Sequence, residues 1–166
     1  MKKLLFTLLF ALPVMAFAQS TANVAVETEV NANLTLTADN INLGEIEADV
    51  AAVLDANAND DAEQANVGAA ASPGSLQIEG TDGATVSVSF TNATLTDGSG
   101  ANATTFTPSV WLGANEVTSG GTVTLADGDV TLDVGGELGV IATANIGSYS
   151  TGNSNGSPIT FTVTYN

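Results

Sequence analysis

The stretch "TANVAVETEVNANLTLTAD" (21–39) alternates without a break. Its even positions are Ala22, Val24, Val26, Thr28, Val30, Ala32, Leu34, Leu36 and Ala38, and its odd positions from Asn23 to Asp39 are Asn, Glu, Thr or Asp apart from Ala25. Period two marks a strand with one buried face. Seventeen residues at about 3.3 Å each would span roughly 56 Å, whereas ordinary strands run about 17–20 Å. The segment is therefore either two strands in series, 22–30 and 32–38, or one strand that bends near Asn31 and crosses between sheets.

The rest of the chain repeats the pattern in shorter pieces separated by Gly, Asn, Asp and Ser, which predicts an all-β sandwich or barrel. Candidate strands are 41–46, 75–80, 84–90, 104–112, 121–134, 137–143 and 158–166, rich in Thr and Val as strands prefer. Within 121–134, Asp127-Gly128 suits a two-residue hairpin turn that sets Leu125 opposite Val130 and Val123 opposite Leu132. Trp111, Phe90, Phe106 and Phe161 lie in strand-like runs and are expected in the core rather than on a sugar-binding platform. The Ala-, Asn- and Asp-rich segment 47–72 reads as an exposed loop, with a short helix around 48–55 as the alternative. Inside it Asp55, Asn57, Asn59 and Asp61 alternate like the start of a calcium loop. Asp60 stands where the sharp turn wants glycine and Asn66 where the bidentate glutamate belongs, so a solvated loop is the simpler reading.

Charge narrows the chemistry. Lys2 and Lys3 are the only basic residues, there is no His or Cys, and all 18 Asp and Glu follow residue 18. Residues 1–18, with those lysines, the run "LLFTLLFALPVMAFA" and Ala16-x-Ala18, read as a secretory signal peptide cut before Gln19. Cleavage would move the net charge from −16 to −18. Nucleophilic sites built on histidine, lysine or cysteine are excluded, and nucleic acid lacks cationic side chains to bind. Only carboxylate chemistry survives, and Asp82, Asp97 and Asp127, each followed by Gly, read as turns, so no enzyme is expected.

Three pieces in order, "LTLTADNINLGEI", "VTLDVGGELGV" and "GSYSTG" followed by "ITFTVTYN", together resemble the bacterial family called domain of unknown function 4402. The resemblance spans roughly 32–166. The insert "NSNGSP" (153–158) and the loop at 50–70 depart from it as expected surface elaborations. The chain is also similar, by pattern, to pilin subunits assembled by the chaperone–usher route. That likeness implies an immunoglobulin-like antiparallel β-sandwich over 32–166, with an N-terminal extension at 19–31. Ala22, Val24, Val26, Thr28 and Val30 would then be a donor strand, and Ile159, Phe161, Val163 and Tyr165 would edge the groove that accepts it. It further implies a head-to-tail homopolymer at the cell surface, served by a periplasmic chaperone and an outer-membrane assembly partner, with no membrane insertion. The alternative is a monomeric secreted or surface domain with an adhesive or ligand-binding role. No cofactor is expected beyond the calcium that the 55–61 loop would hold.

Overall fold

Strand β3 (Gly74–Glu79) buries Leu76 and Ile78 and turns Ser75, Gln77 and Glu79 away from them, the alternation a sheet with one covered face requires. The computed structural model describes residues 33–56 and 64–166, and the same logic recurs throughout them. Besides β3, the strands are β1 (Thr35–Asp39), β2 (Ala52–Leu54), β4 (Thr85–Phe90), β5 (Ala93–Asp97), β6 (Ala103–Leu112), β7 (Asn115–Glu116), β8 (Gly121–Thr124), β9 (Asp129–Leu138), β10 (Tyr149–Ser150) and β11 (Phe161–Tyr165). A single 3-10 turn at Thr143–Asn145 is the helical content of the described residues.

All pairings are antiparallel and fall into two sheets. The larger runs β1-β3-β9-β6-β5-β10, with β2 continuing the line of β3 beside β9 and β7 beside β6. The smaller runs β11-β4-β8. The main core lies between them: Leu76, Ile78, Val110, Leu132 and Val134 from one layer face Val86, Val88, Val123 and Leu125. The protein is thus an all-β antiparallel sandwich.

Two local expectations change. Asp127 and Gly128 both adopt positive φ (57° and 88°), and the Asp129 N–H donates to the Ala126 carbonyl at 3.2 Å, so the tight turn exists. Its arms do not pair with each other. β8 joins β4 in the smaller sheet and β9 joins β3 and β6 in the larger, so Val123 and Leu125 meet Val130 and Leu132 across the core rather than side by side. The segment expected as an exposed loop or short helix supplies β2 instead, with Ala52, Leu54 and Ala56 buried. Gly135 makes the room: a Cβ there would fall on the Leu54 carbonyl oxygen, while one on Gly136 (φ 146°) would fall on the Thr107 carbonyl oxygen of β6.

Direction along the sandwich matters for the site. β1 starts at Thr35, opposite Glu79, at the end that holds the Asp127-Gly128 turn and the Tyr165 hydroxyl. There the Thr81 N–H donates to that hydroxyl at 2.8 Å, in a space that Gly80 keeps open. The opposite pole carries the start of β11, the end of β9 and the segment 40–50. The insert 153–158 is not a free elaboration: Ser157 bridges Thr94 of β5, and the Asn153 side chain donates to the Thr96 carbonyl at 2.6 Å.

Candidate functional site

Antiparallel pairing aims the backbone groups of successive residues to opposite sides of a strand. In the β11·β4 pair the Thr91 N–H donates to Thr160 O (3.2 Å) and the Asn166 N–H to Thr85 O (3.1 Å), so even residues face β4. The backbone N–H and C=O groups of Phe161, Val163 and Tyr165 therefore point away from it, and among the described residues no strand pairs on that side. Such an edge is a template for another strand.

Beside it opens a trough of about 1140 Å³ whose lining mixes apolar side chains with polar ones such as Asn40, Asn42, Glu45, Ser148 and Thr151. Ile159 and Phe161 form one wall, Ile41, Leu43 and Ile46 the other, and Ala93, Leu95, Phe106 and Leu138 of the larger sheet the floor. The walls stand where they do for specific reasons. Asn42 exchanges both backbone bonds with Ser72 (3.0 and 2.8 Å), which continues the β1 register and hangs Ile41 and Leu43 over the second core cluster. Ser157 likewise exchanges bonds with Thr94 (2.9 Å each), which delivers Ile159 to the opposite wall.

Four large hydrophobics are exposed among the described residues. Val50, Val140 and Ile146 (50, 55 and 73% exposed) lie at the trough's pole, and Leu36 (42%) stands on the inner side of β1 opposite Ile78. Two carboxylates fix the loops of the same pole. Asp49 (φ 62°) accepts from the Thr143 hydroxyl and from its N–H at 3.0 Å, which holds its carboxyl below the usual range. Asp97 accepts from the Ser99 hydroxyl (2.7 Å), the Asn102 side chain (2.7 Å) and the Ala101 N–H (3.1 Å), and these bonds pull it down to about 2. A lowered folded-state pKa gives stability that is present above the unfolded value, near 3.8, and lost as pH falls toward 2. The 97–102 loop is expected to stay closed at pH 4.5 and to open between about pH 4 and pH 2, and Asp97→Asn to flatten that dependence. Protection of the Ser99 and Ala101 amides, the exchange rate relative to the intrinsic rate at each pH, measures it; protection unchanged between pH 4.5 and pH 2 in the unsubstituted protein would contradict it.

Of the sequence-derived site residues, the structure brings Ile159 and Phe161 to the trough. Val163 and Tyr165 lie further along β11, packed on the main core with Leu34. Ala22, Val24, Val26, Thr28 and Val30 lie outside the described residues, as do Asn57, Asn59 and Asp61 of the calcium-like set; only Asp55 is described, just after β2. Among the described residues no group of three or more His, Cys, Asp or Glu is placed to hold a metal ion. The sequence reading missed Ile41, Leu43 and Ile46 as a wall, although their apolar spacing was the available signal. It expected Trp111 in the core; Val110 is buried there and Trp111 faces the other way.

The fold and trough define a class: an antiparallel sandwich in which the edge of β11, unpaired among the described residues, runs beside a partly apolar trough. Residues 34–165 match the family model described as "Domain of unknown function (DUF4402)", and the chain belongs to that family. No curated protein matches it.

Proposed function

We propose that this protein is a non-catalytic structural subunit of an extracellular filament, in which residues 22–30 of one copy fill the trough of the next. The observation that carries the reading is the trough itself, with apolar side chains on its floor and walls and the unpaired backbone groups of β11 along one side. A strand with period-two apolar character satisfies both features at once, by ladder hydrogen bonds and by burial of alternate side chains. Residues 22–30 have that character, and their outward positions include Glu27 and Glu29.

Chain polarity supports a partner over self-insertion. The described chain enters β1 at the pole opposite the trough. A neighbour stacked on the trough's pole would present Val30 at the mouth and Ala22 deepest, so its strand would run antiparallel to β11. The chain's own 22–30 would have to reverse before Leu34 and would run parallel to β11. The apolar side chains of Val50, Val140 and Ile146 suit a stacked neighbour. Each copy would donate once and accept once, a head-to-tail contact that grows rather than closes. An export signal, a periplasmic chaperone and an outer-membrane assembly partner are the accessories such a route needs.

Electron microscopy of the purified protein beginning at Gln19, beside one lacking 19–30, tests the proposal. Filaments are expected from the first and none from the second, which should cap growing ends when added to it. Polymers of the truncated protein, or single particles in which 22–30 lies parallel to β11 of its own chain, would return the protein to the monomeric reading.

A further inference from the structure

The outer face of the larger sheet carries a row whose Asp133, Trp111 and Glu116 take no part in lining the trough. Register aligns Asp39, Ser75, Asp133, Trp111 and Glu116 on the adjacent strands β1, β3, β9, β6 and β7. Val110 is fully buried, so Trp111, one residue on, stands on the opposite face, where it is partly exposed. The Val117 N–H donates to Val110 O at 2.8 Å, which makes Trp111 and Glu116 the closer, non-hydrogen-bonded kind of pair, with Cα atoms about 4.5 Å apart. Asp133 flanks the other side at about 5.5 Å. The indole is thus bracketed by a carboxylate on each neighbouring strand. Ser75 donates to Asp39 at 3.0 Å, whereas among the described residues neither the Trp111 indole N–H nor the Asp133 and Glu116 carboxylates have a hydrogen-bond partner.

We propose that this row docks an arginine side chain projected by a different protein. An indole face attracts cations through its quadrupole, and two carboxylates beside it add opposite charge at the same spot. Arginine fits better than lysine because its planar guanidinium stacks on the ring while its N–H fork reaches carboxylates at the edge. The partner is not a second copy: no Lys, Arg or His follows Lys3, so another copy would bring acid to acid. Charge complementarity thus selects a basic protein surface, drawn in by the field of 18 acidic residues and fixed at Trp111.

Trp111 is the only tryptophan, so its fluorescence reports on the row directly. The protein beginning at Gln19 is titrated at low salt with three probes: a capped Gly-Arg-Gly-Arg-Gly peptide, its lysine counterpart, and a neutral glucose oligosaccharide. The expected result is a saturable change with the arginine peptide, a weaker one with lysine and none with the oligosaccharide. Glu116→Gln with Asp133→Asn should weaken the arginine peptide about tenfold, as loss of two exposed ion pairs implies. Glu47→Gln with Asp82→Asn, which removes as much charge elsewhere, should change it less than about twofold. Unchanged urea midpoints establish that both variants are folded. Equal weakening by the two variants would reduce the effect to general attraction and overturn the proposal; so would saturation by the oligosaccharide instead, or by no probe.

Discussion

Val26→Asp is expected to abolish filament growth while leaving the subunit folded. In the proposed contact Val26 faces the trough floor, where burial of a valine contributes about 1.5–3 kcal/mol. Aspartate forfeits that and adds the cost of an unpaired carboxylate against the trough's apolar floor, several kcal/mol more. Together these would raise the dissociation constant of each subunit contact by at least about a thousandfold. Glu27→Gln sits one position away on the face turned to water and should be nearly silent, because side chains in a strand alternate. Sedimentation velocity and electron microscopy read both variants. Filaments of normal length from Val26→Asp would remove residues 22–30 from the interface.

The second large effect concerns folding. Gly135→Ala should cost about 3 kcal/mol or more and lower the urea midpoint without changing the slope of the transition. Its Cβ would collide with the Leu54 carbonyl oxygen and crowd the Ala56 N–H at 2.8 Å. Both obstacles are backbone, so neither can rotate aside, and relief requires β2 to lift off β9 with Leu54 and Ala56. Gly98→Ala, whose Cβ would meet nothing within 4 Å, is the matched control and should stay within about 0.5 kcal/mol. Equal midpoints for the two variants would mean that β2 is not wedged against Gly135.

Much of the sandwich is legible because its strands obey one rule. Leu76 and Ile78, Val86 and Val88, and Phe161 and Val163 each stand two apart between polar neighbours, and β3, β4 and β11 lie where that spacing puts them. The arms of the Asp127-Gly128 turn could not be assigned that way. Val123, Leu125, Val130 and Leu132 are buried together whether the arms lie side by side or in opposite layers, so facing alone leaves the choice open. β2 is invisible for another reason: three residues are too few for a period, and its place depends on Gly135, some eighty positions later. At the site, Ile159 and Phe161 show in the closing alternation. Ile41 and Leu43 look like an ordinary strand, and the Asn42–Ser72 bridge with the Gly68 N–H bond to the Leu43 carbonyl turns them into a wall.

The lone attachment of β1 has a mechanical meaning. β1 pairs only with β3 among the described residues, and the Asn42–Ser72 bridge continues the same register beyond it. A pull on the chain ahead of Thr35, directed along the strand, would load every bond of that ladder at once in shear instead of peeling them one at a time. Single-molecule stretching from that end should therefore meet one abrupt high-force rupture, and a gradual low-force extension would show that the load travels another way. A strand exposed along its whole length would be the one that carries the tension.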